Sequence, residues 1–357
     1  INDVYEQIRL MLATDDEFKG FDTEINKIIF LNGTLNHEKA EFEEGHRRED
    51  YMTIMLEIEF DPNARCPRWM RFLEEVGLDP DTQDTLQMWC GYLLIPTAKL
   101  QKCLFLIGEG SNGKGVFLMT LQNMLGPKNC SSLEMAELFD RFKVARLRGK
   151  LVNISSDVET SQVLDARFKK LAVGEPQVAE QKFRDAFEFR PYARLLFSAN
   201  EFIPTRDRSH GFFRRFDLVK FDRTFSEDER DPDLEEKLRE ELSGIFNWCL
   251  VGLKQLENNN WRMTLSEKMK QVHEEFREAV NPVVTFAQER LEFLNNEKID
   301  AETLRKIYYE WCASHGYHAL SDVALGRELK RLYPAIERKR IMVSNRRIVH
   351  YTGVTLN

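Results

Sequence analysis

Apolar and polar positions along this chain change period several times, and each change marks an element. Ile28-Ile29-Phe30-Leu31-Asn32-Gly33-Thr34-Leu35 reads as a strand entering a turn, punctuated by Asn-Gly. Asp61-Pro62, Cys66-Pro67 and Asp79-Pro80 mark loop boundaries, and apolar residues recur at helical spacing over 69–73 and 86–93. The aromatics in those two segments read as core. From about residue 101 to 222 strands and helices alternate, as in an α/β core. Predicted strands cover 103–107, 150–155 and 194–198, with a fourth over 216–221. Residues 233–280 are helical, with Leu234, Leu238, Leu242, Ile245 and Phe246 on one stripe, until Asn281-Pro282 breaks the pattern. Helical segments around 304–311 and 323–332 follow, then short strands at 341–343 and 347–351. Helices followed by a hairpin suggest a winged-helix-like module. The pattern divides the chain into a mixed, partly helical domain (1–100), an α/β core with a helical extension (101–280) and a small module (281–357).

Composition sets outer limits. A chain of 357 residues can hold two or three cores, and its 42% hydrophobic and 31% charged residues describe an ordinary soluble protein. No apolar stretch is long enough to span a bilayer, and Leu93-Leu94-Ile95 ends at once in Pro96, so no membrane is expected. The start, Ile1-Asn2-Asp3, has neither an initiator methionine nor a signal-peptide pattern and looks cut from something longer. Six scattered cysteines with no CxxC pair fit a reduced, intracellular chain. Cys312, His315 and His318 could suggest a metal site, but Gly316 interrupts them and no second ligand cluster is visible. The net charge of −8 argues against a uniformly basic coat, though not against local basic surfaces. One such segment, 326–347, sets Arg327, Lys330, Arg331, Arg338, Lys339, Arg340, Arg346 and Arg347 against only Glu328 and Glu337. Duplex DNA, a docked protein and plain solvent all suit that face.

The chemistry concentrates between residues 103 and 216. An apolar strand feeds Gly108-Glu109-Gly110-Ser111-Asn112-Gly113-Lys114-Gly115, and Val116-Phe117-Leu118-Met119 can start a helix. This is the strand–loop–helix context of a phosphate-binding loop: glycines let several N–H groups face one point, at a helix N-terminus. Lys114 would reach the β- and γ-phosphates. Gly115 stands where a Ser or Thr would normally ligate magnesium.

A second strand, Leu151-Val152-Asn153-Ile154-Ser155, runs on to Asp157 and Glu159. Residues two apart in extended chain share a side, so both acids could face the phosphates, one holding Mg²⁺ and one orienting water. Strands also often end simply in solvated acids. Basic and aromatic residues then interleave through Lys169, Lys182, Phe183 and Arg184, around a hairpin with its turn near 181–185. Leu195-Leu196-Phe197-Ser198-Ala199 delivers Asn200 at a strand end, where an amide can address a γ-phosphate or merely cap a turn. Arg214 and Arg215 follow; arginine is planar, permanently charged and multidentate, and suits a phosphoryl transition state.

This order of elements resembles the superfamily-3 helicases, specifically the helicase portion of phage and plasmid primase proteins. The likeness extends to Leu31-Asn32-Gly33-Thr34-Leu35, to residues 60–69, to Gly91-Tyr92-Leu93-Leu94 and to Tyr308-Tyr309-Glu310-Trp311-Cys312. It implies an AAA+-like phosphate-loop ATPase forming a ring, usually a homo-hexamer, that translocates on single-stranded or forked DNA. It also implies a primase or polymerase domain in the same full-length chain and action in the cytoplasm of a bacterial host. Residue by residue it implies ATP held by Gly108, Gly110, Ser111, Asn112, Gly113, Lys114 and Gly115, with Lys169 acting across the subunit interface. Asp157 and Glu159 match the acidic pair at Mg²⁺, Asn200 the sensor, Arg214 or Arg215 the arginine finger. Lys182, Phe183 and Arg184 match the DNA-gripping hairpin. Two departures stand out: Gly115 lacks the hydroxyl, and Val158 separates the acids. An ATP-dependent module that loads at an origin without sustained unwinding is the alternative.

Overall fold

The computed structural model describes residues 20–156, 158, 166–205, 209–294, 296–315, 317, 319–343 and 346–357. Two compact units divide the chain, Ile1–His273 and Glu274–Asn357. Within the first, an antiparallel meander comes first: β1 (Lys27–Phe30), β2 (Gly33–Asn36) and β3 (Glu41–Glu44). The expected strand across 28–35 is thus a hairpin that turns at Leu31-Asn32, with Ile28 opposite Leu35.

Two helices follow, α1 (Pro67–Glu75) and α2 (Pro80–Tyr92). Each starts on proline, which needs no amide partner at a helix's first position. Asp79 caps α2 by accepting from the Thr82 amide at 3.0 Å. No local side chain caps α1; instead both Glu241 oxygens accept from the Arg68 and Trp69 amides, each at 3.0 Å. That long-range cap ties α1 to the helical extension.

The central sheet has five parallel strands in the order β10-β4-β9-β6-β5. They are β4 (Cys103–Ile107), β5 (Cys130–Ser131), β6 (Val152–Ser155), β9 (Arg194–Ala199) and β10 (Phe216–Lys220). Every residue of β4, β6 and β9 is buried, as continuous apolar strands in a parallel sheet should be. The helices between them are α3 (Lys114–Leu125), α4 (Arg141–Val144), α5 (Ala166–Ala172) and α6 (His210–Phe213). A separate antiparallel pair, β7 (Gln177–Ala179) and β8 (Phe187–Phe189), forms the expected hairpin.

The helical extension comprises α7 (Leu234–Glu240), α8 (Leu242–Asn258) and α9 (Glu267–Ala279). The predicted stripe is split at Glu241, whose carboxylate leaves to cap α1. α8 lies directly on α2: a Cβ on Gly252 would sit 1.9 Å from the Gln87 carbonyl oxygen, and one on Gly91 2.1 Å from the Leu253 nitrogen. Gly252→Ala should therefore lower stability by about 3 kcal/mol, despite alanine's better helix propensity, because the backbones must separate. A denaturant midpoint equal to wild type would contradict that packing.

One hydrophobic core runs from Ile28 through β4 to Met269, so the first hundred residues and the α/β core share a single interior. Trp69 of α1 stacks on Phe117 of α3 at 5.4 Å, and Phe72 and Val76 lie beneath Gly113. Two buried polar knots fix the sheet. Asp217 of β10, fully buried, accepts from Lys102 at 2.5 Å and from the Trp89 indole at 3.0 Å. Arg194 donates to the carbonyls of Leu93, Thr97 and Tyr192, and burial pulls its guanidinium down to about 10.

The second unit has its own core, built on Phe286, Leu304, Tyr308, Trp311, Leu325 and Leu329. Its helices are α10 (Pro282–Arg290), α11 (Ala301–Ser314) and α12 (Asp322–Leu332). Asn281-Pro282 both ends one helix and starts the next, since Asn281 caps α10 through the Val283 amide at 3.1 Å. β12 (Lys298–Asp300), β13 (Glu337–Val343) and β14 (Arg346–Thr352) form an antiparallel sheet ordered β12-β14-β13, and β11 (Leu291–Glu292) pairs with β15 (Thr355–Leu356). The short strands β11, β12 and β15 carry too few residues to show a period. All six cysteines are free and buried, and burial pushes the Cys66 and Cys130 thiols up to about 12. No described helix is long and apolar enough to cross a membrane.

Candidate functional site

The loop after β4 turns tightly and leaves backbone amides open. Gly108, Gly110 and Gly113 all have positive φ, and Gly113 at +89° also has Val76 Cγ1 2.6 Å from where a Cβ would stand. Only glycine meets both demands there. The amides of Ser111, Asn112 and Gly113 find no acceptor among the described residues, and they adjoin the N-terminus of the twelve-residue α3. Donors left open at a helix start suit phosphate.

Lys114, the first residue of α3, is buried, and its ammonium donates to the Gly108 carbonyl at 2.5 Å and to Asn112 Oδ1 at 3.1 Å. Asn112, also buried, donates its amide to the Phe221 carbonyl at 3.3 Å, which pins the loop to the end of β10. Gly115 is exposed, and a Cβ there would meet nothing within 4 Å. A hydroxyl at that position is missing from the sequence but has room.

The parallel register brings other predicted residues to the same edge. Ala199 of β9 pairs with Ile107, so Asn200 follows beside Gly108, whose amide donates to the Ala199 carbonyl at 3.2 Å. Ser155 of β6 pairs with Phe197, and the buried Val158 donates its amide to Ser198 at 2.8 Å. Asp157 and Glu159 themselves lie outside the described residues. The described residues contain no group of three or more His, Cys, Asp or Glu side chains that could hold a metal ion. His315 instead stacks on Trp311 at 4.4 Å, Cys312 is buried, and His318 lies outside the described residues.

Arg214 and Arg215 are not at this edge. Phe216 pairs with Cys103, so both arginines precede the opposite, N-terminal end of β4. Five strand residues separate the two edges, about 16 Å at 3.3 Å per residue. Arg215 is fastened to Gln101, donating to its Oε1 at 2.6 Å and its carbonyl at 3.2 Å. Burial, then the adjacent Arg214 charge, pulls the Arg215 guanidinium below its usual value. Arg214 is exposed and makes no ion pair or hydrogen bond among the described side chains.

The hairpin presents Phe183 completely to solvent, on a backbone with φ of +63°. That conformation is rare for an aromatic residue and marks strain at the tip. Lys182 and Arg184 flank it, exposed, with Arg184 reaching only Gln181 at 3.3 Å. At the hairpin base, Glu180 donates its amide to the Arg141 carbonyl, and Arg148 lies over the Phe187 ring at 5.1 Å. Lys169 sits half-buried on α5.

Two features escape sequence reading. Arg230 donates to Ser111 Oγ at 2.9 Å, although it lies far along the chain in an acidic loop with no helix or strand pattern. Beside this contact opens a cavity of about 380 Å³, lined by Phe72, Val116, Met119, Phe225 and Pro232, with Asp231 among its polar residues. The Phe225 amide closes one wall by donating to the Ser111 carbonyl at 2.8 Å. A weak signal existed in Asp231-Pro232, which ends the loop before α7.

Comparisons with known proteins place relatives beside this sequence and this fold. Residues 106–215 match a family of unknown function, DUF5906, and residues 1–77 match the family described as D5 N terminal like. Among curated proteins, "Putative helicase 121R" of Invertebrate iridescent virus 3 is 21% identical over 316 residues, covering 73% of this chain and 32% of that protein. "Putative helicase 184R" of Invertebrate iridescent virus 6 is 20% identical over 346 residues, covering 84% of this chain and 35% of that protein. The chain thus spans about a third of the length of the curated relatives it matches. Among solved structures, the apo C-terminal region of NrS-1 matches with a TM-score of 0.53 at 16% identity, over 83% of this chain and 78% of that one. Its A form matches with a TM-score of 0.51 at 14% identity, over the same shares. The likeness is one of fold.

Proposed function

We propose that this chain is the motor of an ATP-dependent DNA helicase, a superfamily-3, AAA+-like ATPase working as a ring, usually of six subunits. The observation that carries the reading is the strand order. β9 lies between the phosphate-loop strand and β6, so Asn200 emerges beside Gly108, while Arg214 emerges at the far edge. The helicase names of the two viral proteins point the same way. A longer protein carrying a primase or polymerase domain, acting in the host cytoplasm, fits the short span of the match.

In this reading the open amides of residues 111–113 and the Lys114 ammonium bind the β- and γ-phosphates, and the base enters the cavity beside Phe225. Asn200 orients the attacking water at the γ-phosphate, with Asp157 and Glu159 assigned to metal and base roles by the family pattern. Mg²⁺, when bound with the nucleotide, neutralises phosphate charge; Asp157 and Glu159 would hold it, since Gly115 offers no side-chain hydroxyl. Arg214 is supplied to a neighbouring subunit's nucleotide, so hydrolysis loosens the contact between subunits. The β7–β8 hairpin lies in the chain between the acidic segment and Asn200, which links nucleotide state to DNA grip.

The grip is tested at the hairpin tip. Phe183→Ala should keep its DNA-independent hydrolysis and bind single-stranded DNA about tenfold more weakly, since one base loses its stacking partner. Its DNA-stimulated rate should fall accordingly. Full stimulation at the wild-type DNA concentration would remove the hairpin from the mechanism.

A further inference from the structure

The basic segment of the second unit takes no part in the mechanism above, and its geometry is specific. The α12 residues Val323, Arg327 and Lys330 are spaced i, i+4, i+7 and share one face. The β13–β14 hairpin closes against that face. Gly326 permits the approach, because a Cβ there would stand 2.6 Å from Tyr351 Oη, and Lys330 ties the helix to the hairpin by donating to the Pro334 and Ile336 carbonyls at 2.7 and 3.0 Å. In the hairpin register Tyr351 opposes Arg338, Val349 opposes Arg340 and Arg347 opposes Met342. Directly opposed pairs two residues apart share a side, so Arg340 and Arg347 lie on the side of the hairpin that carries Tyr351. Helix and hairpin enclose a cleft of about 560 Å³ lined by Arg327, Lys330, Arg338 and Lys339.

Charge on this face is not neutralised within the protein. Its acids are already engaged: Asp322 by Arg305 at 2.7 Å, Glu328 by Arg331 at 2.7 Å, and Glu337 by Lys339. Arg327, Arg340 and Arg347 are exposed and make no ion pair or side-chain hydrogen bond among the described residues. Three unpaired guanidinium groups beside one cleft, in a chain of net charge −8, make a concentrated positive field.

We propose that the face shared by α12 and the β13–β14 hairpin docks the phosphate backbone of duplex DNA. Charge complementarity selects a polyanion. Among polyanions the surface favours a duplex over a single strand, because it offers no exposed aromatic ring for base stacking: Tyr351 is buried, unlike Phe183 on the first unit. A convex helix beside a basic cleft suits a groove flanked by phosphates. The surface acts independently of the nucleotide loop and holds the duplex that the motor would separate.

The test is equilibrium binding of a labelled duplex to the full chain without nucleotide, across a salt series. Replacing Arg327, Arg340 and Arg347 together by alanine should weaken binding at least about tenfold and reduce the salt slope by about 3, one for each lost phosphate contact. The matching triple lysine variant should keep most of the affinity, and an unchanged melting temperature shows that loss is not unfolding. The triple alanine variant should keep its DNA-independent ATP hydrolysis, which separates this surface from the motor reading. Wild-type duplex affinity and slope in the triple alanine variant would overturn the proposal. So would equal affinity for polyglutamate, or tighter binding to duplex RNA.

Discussion

Lys114→Ala should reduce ATP hydrolysis by about three orders of magnitude, the scale on which one preorganised charge at a transition state acts. The ammonium is held inside the loop by Gly108 and Asn112 oxygens, so it is already desolvated and aimed before nucleotide arrives. In the proposed motor, incoming phosphate oxygens would replace neutral carbonyl acceptors with charged ones, which would strengthen the contact as negative charge develops. Alanine removes that charge and also takes the donor from the buried Asn112 Oδ1, while the Gly108 carbonyl keeps the Gly110 amide at 3.0 Å, so some local stability is lost. Lys114→Met keeps the volume of the side chain. It separates the effects: both variants should lose hydrolysis, and methionine should melt closer to wild type. Hydrolysis within tenfold of wild type in either would move the phosphate site elsewhere.

Arg214→Ala should lower hydrolysis by about 10³- to 10⁵-fold in the assembled protein while ATP still binds. The separation of the two sheet edges, about 16 Å over five strand residues, exceeds the reach of an arginine side chain. In the proposed ring, Arg214 would therefore meet a γ-phosphate only in a second copy. Its neighbour differs, because Arg215 is bonded to Gln101 and its loss should show in stability rather than in turnover. Mixing supplies the sharper evidence. Arg214→Ala and Lys114→Ala subunits, each inactive alone, should recover hydrolysis together, since some interfaces then join an intact loop to an intact arginine. No recovery in assembled mixtures would place the arginine outside the site.

Much of the first unit's core was legible because its signals are local. The strand at 103–107 matches its prediction to the residue, and 194–198 extends by one, since buried parallel strands are unbroken apolar runs. The turn from β4 into α3 was legible because glycine spacing and a following helix are both set by neighbouring residues. The β7–β8 hairpin was likewise readable from its turn. What stayed hidden depends on distant partners. Glu241 splits a helical stripe because its carboxylate caps α1, and nothing near residue 241 announces that. Arg230 reaches Ser111 from an irregular acidic loop. The sequence also could not separate Arg214 from Arg215; only the bond to Gln101 does. Nor could it show that segments 1–100 and 101–280 share a core, which rests on Trp69 stacking on Phe117 and Gly252 meeting Gln87.

The central claim is that nucleotide hydrolysis drives strand separation, and the direct measurement is unwinding of a forked duplex by the wild-type chain with ATP. The account predicts ATP-dependent release of the displaced strand, abolished in Lys114→Ala, with hydrolysis stimulated by single-stranded DNA. Hydrolysis that ignores DNA, with no strand released by an assembled ring, would contradict it.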